Sequence, residues 1–230
     1  CSITGNTFTA DGNMLAPYAN LKPEHGIYIY NSASLQIGDI GAPNDGNVFE
    51  NLQNGIKILN ETVMVTIGQG PNQQMQLIPA PSSYIQLKNN TMSGITKNAN
   101  STADEAGVGV YAEANSLVGG RPRLLITNSV SPSAQSAPTF QNCEYAVYLK
   151  QASADVFNQH IDHCGIGIGA IKCEGEKYNI SGNYLNQTYW NIVKSGDEST
   201  LGFLVNNNTI TMPGDEPNLI GLPPIGILNA

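Results

Sequence analysis

The chain has 230 residues, 40% of them hydrophobic, which is enough to bury a real core and excludes disorder. Ten Lys and Arg stand against eighteen Asp and Glu, a net charge of −8, and without a basic run nucleic acid is excluded as a partner. No apolar stretch reaches the roughly 18 residues of a membrane span and no signal-peptide series opens the chain, so membrane insertion is not expected.

In chain order, the first element is Gly5-Asn6-Thr7-Phe8. The same tract returns as Gly46-Asn47-Val48-Phe49, Asn89-Asn90-Thr91-Met92, Ala137-Pro138-Thr139-Phe140, Asn158-Gln159-His160-Ile161, Gly182-Asn183-Tyr184-Leu185 and Asn207-Asn208-Thr209-Ile210. Its last position is always large and apolar, an anchor for a core. Gly or Asn opens six of the seven tracts, and these residues tolerate a left-handed backbone, so a bend is predicted before each anchor. Asn holds the second position in five, where its amide can bond to the amides of stacked repeats above and below.

A second tract follows each anchor: Gly26-Ile27-Tyr28-Ile29, Gly55-Ile56-Lys57-Ile58, Gly107-Val108-Gly109-Val110, Ala146-Val147-Tyr148-Leu149, Gly165-Ile166-Gly167-Ile168 and, more weakly, Asn191-Ile192. Alternation with period two makes each a short strand with one buried face. A third tract, Leu35-Gln36-Ile37, Val63-Met64-Val65 and Leu125-Ile126, completes a three-strand unit. No window shows helical apolar spacing, and 24 Gly with 13 Pro argue against long helices.

The anchors are spaced 41, 43, 48, 21, 24 and 25 residues apart, so the compact unit is 21 to 25 residues and the first half carries insertions. Such a unit cannot bury its apolar side alone and must stack on its neighbours. The expectation is an all-β chain, a right-handed parallel β-helix or solenoid of about seven coils. At roughly 4.8 Å per coil it is roughly 34 Å long. Residues 1–230 read as one β-helix domain. The Cys1 start and the unfinished repeat at Ile225-Gly226-Ile227-Leu228-Asn229 lead us to expect a fragment of a longer chain with flanking domains.

The run from Ile37-Gly38-Asp39 through Gly46-Asn47-Val48-Phe49 to Asn54-Gly55-Ile56 resembles the signature of the bacterial right-handed parallel β-helix repeat family, within the pectate-lyase-like superfamily. The resemblance implies a secreted or cell-surface protein. It leaves function open, because similar repeats occur in polysaccharide lyases, phage tailspikes and non-catalytic surface proteins. The paired aspartates, glycine-histidine-glycine and arginine-isoleucine-lysine tracts of polygalacturonase-like hydrolases do not occur here. The lyases' calcium cage with an Arg or Lys base has little counterpart, since Arg121 and Arg123 share one loop.

Several residues need weighing as sites. Cys143 and Cys164 each follow an anchor by three residues, in the slot that Leu52 and Ile95 fill elsewhere, and read as buried core thiols. With Cys1 and Cys173 they match no zinc spacing, so no metal site is assigned. His160 and His163 flank Ile161, and strand alternation points them apart, as solvated or corner side chains. Asp39, Asp45 and Glu50 could supply oxygens to calcium, although an Asp- and Asn-rich turn needs no ion. The six sequons follow from the Asn and Thr of the repeat and carry no weight.

The insertions are the remaining signal. Residues 10–25 and 95–106 both interrupt the chain between an anchor and its following strand, so they leave one corner of the prism and are expected to wall a narrow cleft. Tyr18, Glu24, His25, Glu50, Asn51, Asp104 and Glu105 are its candidate ligand-binding residues, with no catalytic residue assigned. Insertions 68–83, 112–123 and 131–138 read as surface loops. The expected function is a non-catalytic extracellular module, a rigid spacer or an adhesive surface for a glycan or protein. Its rivals are a lyase or glycoside hydrolase with an atypical acidic site and a trimeric tailspike-like fibre.

Overall fold

The computed structural model describes residues 1–10, 21–39, 41, 46–99, 101, 106–115, 119–172, 176–196, 202–213 and 224–229. Among them the chain is all strand and turn apart from one 3-10 turn, Gly70–Asn72. Three sheets of seven strands each form the body. The chain deals its strands out in rotation: Ser2–Ile3 to the first sheet, Thr7–Thr9 to the second, His25–Tyr30 to the third, then Ser34–Ile37 to the first again. Each pairs in parallel with its counterpart one repeat on. The Gly, Asn and Pro punctuation of a period-two pattern accounts for this architecture.

The anchors are the centre of the second sheet. Phe8, Phe49, Met92, Phe140, Ile161, Leu185 and Ile210 are register partners in one continuous column. Most are fully buried, and Phe8 stacks on Phe49 with ring centroids 4.9 Å apart. Beside them runs a column of small residues from the third sheet. A Cβ added to Gly26 would lie 2.6 Å from Phe49, to Gly55 2.8 Å from Met92, to Gly109 2.9 Å from Phe140 and to Gly167 2.8 Å from Leu185. Each glycine thus leaves room for the anchor of the next repeat. The Gly–apolar pairing of the second tract is therefore a packing requirement, a close-packed interior having no spare volume for even one methyl.

Bends flank the anchors, on both sides at Met92, Ile161 and Leu185. Gly5, Asn89, Asn158, Gly182 and Asn207, three residues before their anchors, have φ of 51–67°, as predicted. Gly46 is different: its Cβ would fall 1.6 Å from the Asn89 carbonyl, so close backbone approach demands the glycine. A second left-handed residue follows two positions after the anchor, at Asn51, Gly94, Asn142, His163 and Gln187. Where both are present, two bends five residues apart leave room for a strand of three residues.

The amide ladder forms in two pieces. Asn47 Oδ1 accepts from Asn6 N–H and Asn6 Nδ2, and Asn90 Oδ1 accepts likewise from Asn47. Farther on, Asn183 Oδ1 accepts from Gln159 N–H and Asn208 Oδ1 from Asn183. Pro138 separates the pieces, having neither an N–H to give nor an amide to receive.

Two expectations are corrected. Val63-Met64-Val65 is not a strand of the first sheet: Val63–Ile67 pairs antiparallel with Gln74–Ile78 in a separate hairpin, and Ser83–Lys88 takes the sheet position. Residues 68–83, read as a loop, hold the hairpin turn and its second strand. Likewise the 112–123 insertion is smaller than expected, because Ala112, Glu113, Ala114 and Asn115 continue a strand paired to residues 58–61 and Pro122–Thr127 already begins the next.

Candidate functional site

The two insertions expected to share a corner do meet there. Lys22 N–H donates to Asn98 Oδ1 at 3.0 Å, and Gln53, from the repeat between them, has its Nε2 3.4 Å from the Lys22 carbonyl. The Lys22 ammonium donates to the Gly94 carbonyl at 3.0 Å and to Thr96 Oγ1. Burial lowers its pKa from the usual lysine value, while Glu144 and Cys143 act in the opposite direction. Glu144, which sequence reasoning passed over, accepts from Lys97 N–H at 2.9 Å. Over the described part of the corner the two segments are thus tied to one another by hydrogen bonds.

Of the predicted binding residues, Tyr18, Asp104 and Glu105 lie outside the described residues. Glu24 and His25 are together: Glu24 Oε1 is 3.3 Å from His25 Nε2, and His25 Nδ1 is 3.3 Å from Asn54 Nδ2. The His25 ring stacks on Tyr28 at 5.3 Å. Glu50 ends an anchor strand, between Thr9 and Ser93 in register. Asn51 forms the turn that follows, with φ 55° and its N–H on the Ser93 carbonyl. Asp45, one of the three candidate calcium ligands, lies outside the described residues. Among the described residues no three His, Cys, Asp or Glu side chains gather as a metal cage.

The thiols behave as the core reading requires. Cys143 and Cys164 are free and buried. Burial, with Cys143 alongside, pushes the Cys164 thiol well above the ordinary cysteine range, which disfavours the reactive thiolate.

The reading of the histidine pair holds for His163 and is corrected for His160. His163 is a corner residue in a left-handed turn, with Nδ1 2.9 Å from Asp162 Oδ1. His160 is not solvated: it is only 4% exposed. Its side chain is off the anchor face, where the outer column Thr91, Thr139, His160 crosses three repeats of the second sheet. The segment 128–138 lies against that column. Ser129 N–H donates to Asn89 Oδ1 at 2.8 Å and Asn158 Nδ2 to the Asn128 carbonyl at 3.2 Å, while Ser136 Oγ lies 3.0 Å from His160 Nδ1. Between segment and sheet is a recess of about 210 Å³. His160 also meets Tyr184 edge to face, at 4.9 Å. Alternation showed that His160 is off the core face, but only the folded segment shows what covers it.

No protein family, curated protein or solved structure matches the chain.

Proposed function

We propose that the chain is a rigid, non-catalytic module of a secreted or surface-exposed protein, its three sheets wound as a right-handed parallel β-helix that displays loops to a glycan or protein partner. One observation carries the reading: a single core column runs from Phe8 to Ile210 through all seven strands of the second sheet. Repeats that share so continuous an interior resist bending and set a fixed distance between their ends. The Lys22, Gln53 and Asn98 corner also supports it, since its described residues hydrogen-bond to one another across the two insertions. The resemblance of the repeats to bacterial β-helix proteins supports the extracellular setting.

The test is incubation of the chain with a panel of neutral and acidic polysaccharides, following reducing ends and the absorbance of unsaturated uronates. The expected outcome is neither product. Either product above that from the heat-denatured chain overturns the non-catalytic reading in favour of a hydrolase or lyase. Light scattering expects one chain per particle; three would make it a fibre segment.

A further inference from the structure

The hairpin of Val63–Ile67 and Gln74–Ile78 is a sheet of only two strands, and two strands by themselves are marginally stable in water. Natural sheets guard such edges with charged side chains, bulges or proline. Charges are missing here: from Thr62 to Leu87 no residue is charged, the longest such run in the chain. Pro71 and Pro79 both lie outside the two strands, and Gln74–Ile78 is exposed at every position. The register sets Met64 opposite Leu77 and Thr66 opposite Met75, so by alternation these four share one face. Met64, Leu77 and Met75 are 58%, 39% and 71% exposed, and apolar surface gathered in this way marks an interaction site.

The strand's own sequence identifies a partner. Two copies of Gln74–Ile78 laid antiparallel across a two-fold axis put Gln76 opposite Gln76, Met75 opposite Leu77 and Gln74 opposite Ile78. On one face, each row across the four strands then reads Met64, Leu77, Met75, Thr66, the last two from the second copy, and six apolar side chains cluster. On the other face the two Gln76 amides meet, each able to donate and to accept. Charge selects the same place. Two chains of net charge −8 repel one another, and a neutral run is where they approach with least opposition.

We propose that the hairpin is a self-association site, at which two copies of the chain join edge to edge along Gln74–Ile78 in a four-stranded antiparallel sheet. Two strands of five residues on each side are fewer than the roughly 20–30 residues a side of a standard interface. The pair is therefore weak, with a Kd of about 0.1–1 mM, and a dilute sample, as in light scattering, holds single chains. The site does not depend on what the module binds or on whether it is catalytic.

The experiment is sedimentation equilibrium of the whole chain from roughly 10 μM to 1 mM, a range that reaches the expected Kd. The average mass should rise from one chain towards two, and more steeply in about 0.5 M than in about 0.05 M sodium chloride, because salt screens the repulsion. Gln76→Lys sets like charges opposite one another at the axis and should hold the chain near one per particle, and Gln76→Glu should do the same. An equimolar mixture of the two variants brings opposite charges together and should pair at least about fivefold more tightly than either variant alone. Gln76 is exposed, so both variants should keep the parent far-ultraviolet spectrum. A single chain at every concentration, a mass that passes two chains, undiminished pairing in Gln76→Lys, or a mixture that stays single each overturns the proposal.

Discussion

Ten residues other than glycine among those described hold φ between 47° and 55°, a backbone that an L-residue adopts at a cost of roughly 1–2 kcal/mol. Six are Asn, the side chain best suited to it, and His163 is also of a type enriched there, but Gln151, Lys172 and Gln187 are not suited. Lys172 is exposed, with φ 52° and its N–H on the Ser195 carbonyl at 3.1 Å. Its side chain therefore adds little to set against the strain. Lys172→Gly should relieve that strain and lose roughly 0.5–1 kcal/mol to the freer unfolded chain, for a net gain of about 0.5–1 kcal/mol. A raised urea midpoint with unchanged slope is the expected reading; a lowered midpoint shows that the lysine does more than turn the corner. Asp162 makes a second prediction. Burial raises its pKa, but hydrogen bonds from His163 and Asn186, the His163 charge and the Gln141 amide together bring it below the usual aspartate value. A carboxyl depressed on folding contributes stability above its unfolded pKa and loses it as pH falls through the folded one. Acid should therefore weaken the chain below about pH 4, and less so in Asp162→Asn; an equal loss in the variant shows that other carboxylates dominate. Corners bearing Gly or Asn were legible in the sequence, whereas those at Gln151 and Lys172 were not, because neither residue type signals a bend.

At the scale of the element, the repeated strands were legible because one anchor per repeat and a period of two are purely local patterns. The hairpin was not. Val63-Met64-Val65 alternates like a core strand, and alternation states that a segment is extended without saying which sheet receives it. Its burial decides the matter: Met64 is 58% exposed and Met75 71%, against 2% for the anchor Met92. Dilute hydrogen peroxide should therefore convert Met64 and Met75 to sulfoxides well before Met92, since exposure sets thioether susceptibility. Peptide mass spectrometry reads the order, and early oxidation of Met92 would show that the second sheet opens readily. The recess was illegible for a related reason. Residues 131–138 were readable as an insertion from the anchor spacing, but their return onto Thr91 and His160 depends on contacts such as Ser129 to Asn89, 40 residues away.

Across the whole molecule, each strand pairs with counterparts in neighbouring repeats, so energy should be shared locally and passed along step by step. Phe49 is a sharp probe of this. It is fully buried, stacks on Phe8 and fills the space left by Gly26, so it couples the first repeat to the second. Replacing it with Ala removes a ring whose space Gly26 beside it cannot fill, at roughly 3–5 kcal/mol. If the repeats are coupled only to their neighbours, the loss is confined. Amides of Thr7–Thr9, Val48–Glu50 and Thr91–Ser93 should exchange faster, while those of Ile166–Ile171 and Trp190–Ser195 in the third sheet keep native protection. The amide ladder sharpens the boundary, since its first piece, Asn6 to Asn90, ends at Pro138 and gives the destabilised end no polar link through that position to Asn183 and Asn208. Hydrogen exchange with mass spectrometry locates the opening. Loss of protection spread evenly to Trp190–Ser195 would make all seven repeats one cooperative unit, and the rigid-spacer reading would then rest on global stability instead of stacked, separable units.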